Sequence, residues 1–171
     1  MNTLAIILAL LLVAGVVGYV LLEKRPGYGI YYGLAKLMGG RLDIEPTDWA
    51  RLKRRRTPND SLVCPPAFCP NAAADEEAKT YAMTPAELLV RVKTIALAEQ
   101  NVTEQSCEPN CDRTARFIQY SPGLRFPDTI DVEVLPADAG STLALYSRSL
   151  VGRKDFGVNR ARLRRWLEKL G

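Results

Sequence analysis

Four cysteines are the residues of this chain whose type and spacing most directly suggest chemistry. Cys64 and Cys69 are spaced C-x4-C, and Cys107 and Cys111 are spaced C-x3-C. Four thiols in a small domain are typical of two disulfides formed in an oxidising compartment, with three possible pairings. A four-thiolate zinc site in a cytoplasmic domain is the alternative, although the C-x2-C knuckle of such sites is missing.

Groups for acid–base or nucleophilic catalysis are scarce. The chain contains no histidine, which excludes Ser-His-Asp and Cys-His nucleophiles and histidine-ligated metals. Asp128 and Asp131 are close enough in sequence to suggest a carboxylate pair. However, apolar residues alternate with Asp131, which predicts that it lies on the solvent-exposed face of a strand. We therefore predict no catalytic residue, no cofactor and no bound metal.

Charge is distributed unevenly along the 171 residues. The net charge is +5 over residues 1–56, −7 over residues 57–147 and +6 over residues 148–171. Basic stretches at both ends indicate anionic partners. The alternative is that the basic C-terminal stretch neutralises the acidic middle within one fold. Nucleic acid is the weaker partner hypothesis, because no nucleic-acid-binding motif is present.

The N-terminal segment Thr3–Leu22 contains no charged residue. Twenty apolar residues in a helix match the thickness of a bilayer core, about 30 Å. The apolar run exceeds that of a cleaved signal peptide, and no convincing cleavage site follows it. We therefore expect a single transmembrane anchor at residues 1–23. Basic residues after the segment favour a cytoplasmic C-terminal domain, whereas the cysteines favour an oxidising compartment.

A basic linker and one globular domain follow. Residues 24–57 include the sequence DWARLKRRR (48–56), which is expected to lie near anionic lipid. For residues 58–171 we predict an α+β fold, a small antiparallel sheet packed with two helices. The helices are expected at Thr84–Glu99, with a capping box, and from an N-cap at Asn159 onwards. The predicted strands are Asn101–Cys107, Arg113–Tyr120, Thr129–Leu135 and Ser141–Leu150.

The most distinctive stretch is SLVGRKDFGVNRARL, Ser149–Leu163. It resembles the C-terminal signature of an uncharacterised family, domain of unknown function 1499. Cys69–Asn71 and Phe126–Val134 resemble the family's other conserved segments. The resemblance implies a domain placed behind a membrane anchor or a signal, and it favours the extracytoplasmic side. It implies no activity.

The resemblance also supplies a candidate anion-binding or partner-binding site at the start of the last helix. Exposed N–H groups at a helix start attract anions, and guanidinium groups grip carboxylate or phosphate. Arg148 is expected to replace an arginine that the family pattern has at the position of Leu150. The alternative is that these residues only build the turn and cap the helix. The site comprises Arg148, Asp155, Gly157, Asn159, Arg160 and Arg162.

Three hypotheses follow for function. The first is a non-catalytic module in the bacterial inner membrane, with a single span and a periplasmic domain, that binds a membrane protein or an anionic envelope component as an accessory or assembly subunit. The second is an enzyme acting on envelope lipid or glycan through Asp155 and neighbouring arginines. The third is a cytoplasmic four-cysteine zinc module.

Overall fold

The computed structural model describes residues 3–23, 31, 45–54, 56–106 and 111–171 of the chain. The chain divides into two compact units, Met1–Leu42 and Asp43–Gly171. In the first unit, helix α1 spans Thr3–Glu23, and its large apolar side chains are exposed from Leu4 to Val17. Among the described residues, no helix is both long enough and apolar enough to cross a membrane.

The second unit has an α+β fold built on one six-stranded mixed sheet. The strand order is β2-β1-β6-β5-β4-β3, with β1 and β2 parallel and every other neighbouring pair antiparallel. The strands are β1 (Asp60–Cys64), β2 (Glu76–Glu77), β3 (Val102–Gln105), β4 (Thr114–Tyr120), β5 (Pro127–Ala137) and β6 (Gly140–Ser149). The four predicted strands are confirmed as β3 to β6, with shifted ends.

Strands β5 and β6 form a long hairpin at the centre of the sheet. Ala137 pairs with Gly140, so the turn between them is two residues long. A Cβ atom at Gly140 would lie 2.1 Å from the carbonyl oxygen of Tyr81, and φ is +133°. Only glycine permits this close approach of the two backbones.

Helices α2 (Pro85–Leu97) and α3 (Val158–Leu170) pack on one face of the sheet. The capping box predicted for α2 is present, because Thr84 accepts from the Glu87 N–H while the Glu87 carboxylate accepts from the Thr84 N–H. The core between helices and sheet includes an edge-to-face contact of Phe117 and Trp166, with ring centroids 5.8 Å apart. Trp166 belongs to the buried face of α3, together with Leu163, Leu167 and Leu170 at helical spacing.

The start of α3 differs from the prediction. The N-cap is Gly157, with φ +81°, and not Asn159, which lies inside the helix and is fully buried. The prediction was wrong because it assigned the capping role to the Asn159 side chain. The Asp155 carboxylate fills that role by accepting from the Asn159 N–H at 3.0 Å.

The opposite face of the sheet is covered by residues 45–54, which sequence analysis placed in a membrane-proximal linker. Trp49 and Leu52 are buried against Leu62 and Tyr146. Trp49 and Leu52 supply apolar contacts within a strongly basic stretch, which is why charge alone misplaced that stretch. Asp131 is therefore buried under this segment, and the prediction that it faces solvent was wrong.

Two strands near the start of the domain were missed. The stretch from Pro58 was expected to be irregular, because four prolines occur between residues 58 and 70. Strand β1 fits between them and pairs with β6 from Asp60 to Val63. Its residues Leu62, Val63 and Cys64 are buried on both faces of the sheet. A strand buried on both faces lacks the alternation that identified the others.

Candidate functional site

The signature stretch forms the junction between β6 and α3, and its centre is the buried guanidinium of Arg162. Only 2% of Arg162 is exposed. It donates through Nη1 to Ser147 Oγ at 2.6 Å and through Nη2 to Asp128 Oδ2 at 2.7 Å. Its Nε donates to Gln119 Oε1. The partners come from the ends of β4, β5 and β6, so Arg162 fastens the helix to three adjacent strands.

Asn159 lies one turn before Arg162 and extends the same network. Its Oδ1 accepts from Ser147 and from Arg162, both at 2.6 Å. Its Nδ2 donates to Ser149 Oγ at 3.0 Å and to the carbonyl of Asn59 at 3.2 Å. The amide therefore uses both ends in protein contacts, as buried polar groups must. Asn159 joins α3 to β6 and to the residue before β1.

Asp155 organises the loop that precedes the helix. Its Oδ1 accepts from the Gly157 N–H at 3.0 Å, and its Oδ2 accepts from both the Asn159 N–H and Asn159 Nδ2, at 3.0 and 2.8 Å. Two of the helix-start N–H groups that could bind an anion are thus bonded to this carboxylate. Between these residues, Phe156 has φ +55° and is 93% exposed.

The structure does not bring all six predicted site residues together. Asp155, Gly157, Asn159 and Arg162 lie along one junction, whereas Arg160 points to solvent from the first turn of α3. Arg148 lies on the other face of the sheet from Ser147, because successive residues of a strand alternate in direction. Arg148 is therefore separated from the predicted site by the sheet itself.

Arg148 belongs to a second buried polar cluster, beneath the segment 45–54. It donates through Nη2 to the Glu45 carbonyl at 2.6 Å and through Nε to Thr129 Oγ1 at 3.2 Å. Asp131 accepts from Thr47 Oγ1 at 2.5 Å, and its Oδ1 lies 3.3 Å from Arg116 Nε. Burial raises the pKa of Asp131 above its ordinary value, against the opposing charge of both arginines. This cluster clamps the covering segment to the sheet.

Asp128 and Asp131 do not form a carboxylate pair. They are three residues apart on β5, so they point to opposite faces of the sheet. Asp128 pairs with Arg162 on the helix face, and Asp131 lies between arginines on the other face. Each carboxylate thus serves one of the two buried clusters.

A shallow cleft of about 450 Å³ lies beside the junction. Acidic and basic groups line it in similar numbers, and Arg54 already forms ion pairs with Asp60 at 2.7 Å and Asp75 at 2.8 Å. Burial raises the pKa of Asp75, but hydrogen bonds from Arg54, the Leu62 N–H and Ser61 outweigh it and hold that pKa below its ordinary value.

The cysteines are oxidised where the structure describes them. Cys64 and Cys69 form a disulfide. Cys111 is also disulfide-bonded, and Cys107 lies outside the described residues. The bond between Cys64 and Cys69 consumes two of the four thiolates that the zinc alternative needs. A disulfide-containing domain is therefore the state that the structure supports.

Sequence reasoning missed the partners that hold the signature residues. Asp128 follows the same alternation as Ile130, so it faces the helices. A carboxylate on that face, opposite an arginine-rich helix, was the available signal for the pair with Arg162. Nothing comparable indicated Asn59, whose backbone carbonyl is its contribution to the Asn159 contacts.

Comparisons with known proteins give a family and two distant structural likenesses. The structure of protein MLL2253 from Mesorhizobium loti is 12% identical, with a TM-score of 0.41, over 54% of this chain and 90% of that chain. The structure of protein CV1439 from Chromobacterium violaceum is 9% identical, with a TM-score of 0.38, over 66% of this chain and 95% of that chain. No curated protein matches the chain.

The model of the family described as a protein of unknown function, DUF1499, matches residues 59–170. The match begins at Asn59 and ends at Leu170, so it includes the six strands and both packed helices of the second unit. The chain therefore belongs to the DUF1499 family.

Proposed function

We propose that this protein is a membrane-attached, non-catalytic binding module that acts outside the cytoplasm as an accessory or assembly subunit of a membrane protein complex. The observation that carries the proposal is that the signature residues form hydrogen bonds within the protein. The protein's own strands and loop supply hydrogen-bond partners for Asp155, Asn159 and Arg162. What remains available for recognition is the surface that they hold in place.

Attachment to a membrane is supported by α1. The segment Thr3–Leu22 is uncharged, and its large apolar side chains from Leu4 to Val17 are exposed. Exposed apolar surface of this extent marks an interaction site in a protein or a bilayer. A single span with the domain on the periplasmic side is the arrangement we favour, because the Cys64–Cys69 disulfide is typical of oxidising compartments.

The enzyme alternative relies on Asp155, and its geometry does not favour catalysis. The carboxylate accepts three hydrogen bonds from Gly157 and Asn159, which hold it against its own loop. General acid–base groups need reach to a substrate atom within about 3 Å. The contacts of Asp155 instead favour a role in holding the loop and the start of α3.

Extraction of the full chain from its native membrane in mild detergent tests the proposal. We expect the chain to migrate with a membrane protein in a fixed ratio, measured by native electrophoresis and mass spectrometry. In the variant Arg162→Met, which should destabilise the junction between α3 and the sheet, the yield of this complex should fall. Recovery of the wild-type chain alone, folded and monomeric, would contradict an accessory-subunit role.

A further inference from the structure

Two loops leave the sheet at the same end. These loops and the first residue of α3 carry most of the exposed large apolar side chains of the second unit. The β4–β5 loop lies beside the β6–α3 loop, because Leu150 donates its N–H to the carbonyl of Pro127 at 3.1 Å. Leu124 on the first loop is 66% exposed, and Phe156 and Val158 on the second are 93% and 50% exposed. We call this surface, residues 121–126 and 150–160, the loop end.

Phe156 is held outward by its surroundings and does not fill space in a core. Its φ of +55° is uncommon for an aromatic residue. The Asp155 carboxylate fixes the backbone on the far side of Phe156 through the Gly157 and Asn159 N–H groups. Phe156 thus keeps a disfavoured backbone conformation while its side chain is almost fully in solvent. This combination indicates that the exposed ring has a function.

Within residues 150–160, basic side chains outnumber acidic ones, and the two further carboxylates beside Phe156, Asp60 and Asp75, are paired with Arg54. Arg153, Lys154 and Arg160 are exposed on the same loop and the first helical turn. Asp155 is the acidic residue among them, and its oxygens are occupied by the loop's own N–H groups. Basic residues beside exposed aromatic and aliphatic side chains are the combination that binds anionic bilayer surfaces.

The opposite end of the sheet has the reverse character. Among the residues that the structure describes, exposed acidic residues there outnumber the basic residues Lys79 and Arg113. The acidic residues are Glu77, Glu87, Asp112 and Asp138. The domain thus presents one basic, partly apolar end and one acidic end. An anionic surface would orient it by attracting the first and repelling the second.

The segment 45–54 that covers the other face of the sheet begins near the loop end. Glu45, the first described residue of the second unit, accepts through its carbonyl from Arg148. Arg148 on β6 is opposite Thr129 on β5, and the next pair is Ser149 with Asp128. These pairs lie at the strand ends from which the two loops emerge. The backbone of Glu45 therefore lies near the strand ends that carry the loop end.

We propose that the loop end binds the surface of an anionic phospholipid bilayer, with Phe156 entering the interfacial region and Arg153, Lys154 and Arg160 contacting lipid phosphates. This inference rests on the proposed membrane attachment, which brings a bilayer within reach of the domain.

The test uses the full chain in vesicles with phosphatidylglycerol and with phosphatidylcholine alone, each containing brominated acyl chains that quench tryptophan. Phe156→Trp places a reporter at the loop end. Val90→Trp is the matched control, because Val90 is 64% exposed in the middle of α2. The signal of Trp49 and Trp166 is subtracted with the unmodified chain.

In phosphatidylglycerol vesicles, we expect quenching of the Phe156→Trp reporter at least several-fold greater than that of the control, with a blue shift. The triple change Arg153→Gln, Lys154→Gln and Arg160→Gln should abolish the difference while the near-ultraviolet dichroism of Trp166 stays unchanged. Equal quenching of the two reporters would overturn the inference and favour a protein at this surface. Equal quenching in both lipids would overturn its anionic selectivity. If the chain fails to co-sediment with vesicles at all, the membrane attachment itself has failed.

Discussion

Arg162 donates its Nη2 to Asp128 Oδ2 across 2.7 Å, which joins the first turns of the last helix to the beginning of the central strand β5. Arg162 is buried and Asp128 is partly buried, and the remaining donors of Arg162 are satisfied by Ser147, Asn159 and Gln119. Buried ion pairs are costly to disturb because a lone partner keeps its desolvation cost. The relationship gives the family signature a physical role in holding the helix on the sheet.

The first prediction concerns the loss of this pair. Arg162→Met leaves the carboxyl group of Asp128 partly buried without its partner, so the free energy of unfolding should fall by about 3–5 kcal/mol. Urea titration of the full chain in mild detergent measures this quantity. Arg160→Met removes an exposed arginine two residues earlier and should change it by less than about 0.5 kcal/mol. Equal stability of the two variants would show that the buried pair does not hold the junction.

The second prediction concerns Asp155. Asp155→Asn keeps one acceptor oxygen but places an amide where a helix-start N–H needs an acceptor. We expect a loss of about 1 kcal/mol, similar to that of a helix cap, with the fold retained. Hydrogen exchange should become faster at the Gly157 and Asn159 N–H groups. Unchanged exchange together with lost partner binding would instead assign Asp155 to a recognition site.

The third prediction concerns Phe156. A left-handed backbone costs a non-glycine residue about 1–2 kcal/mol, and glycine avoids this cost. The more flexible unfolded state of a glycine variant offsets part of the stabilisation. Because the Phe156 side chain buries almost nothing, Phe156→Gly should raise the free energy of unfolding by up to about 1 kcal/mol. The same variant should lose vesicle binding at the loop end. A destabilised variant would mean that the ring packs on the protein.

The fourth prediction concerns acid stability. The pKa of Asp75 is lowered in the folded state by hydrogen bonds from Arg54, the Leu62 N–H and Ser61, despite the opposing effect of burial. A lowered pKa contributes stability above the unfolded value of about 3.9, and this contribution is lost as the pH falls through the folded pKa. Urea titrations between about pH 6 and pH 3 should show a steeper acid loss for the wild type than for Asp75→Asn. Parallel acid limbs would contradict this linkage.

Much of the fold was predictable because periodicity reports burial. Strand β5 alternates Ile130, Val132 and Val134 with polar residues, and the apolar stripe of α3 repeats at helical spacing. The capping box at Thr84 marked the start of α2 through purely local chemistry. These features depend on near neighbours in sequence.

What could not be predicted depends on distant contacts. The local sequence pattern predicts that Asp131 faces solvent. Asp131 is buried because the segment containing Thr47, 84 residues earlier, covers it. Arg148 likewise faces away from the signature residues Asp155, Asn159 and Arg162 that follow it in sequence. The residues of the predicted site are therefore close along the chain, but the sheet separates Arg148 from the others in space.

The most direct measurement of the central claim is thiol labelling in intact cells with an impermeant maleimide. An N-terminal anchor and a disulfide-containing domain outside the cytoplasm predict no labelling before reduction. They predict labelling of the exposed Cys111 after treatment with an impermeant reductant. Free thiols that react only after lysis, and without reductant, would place the domain in the cytoplasm and contradict the account.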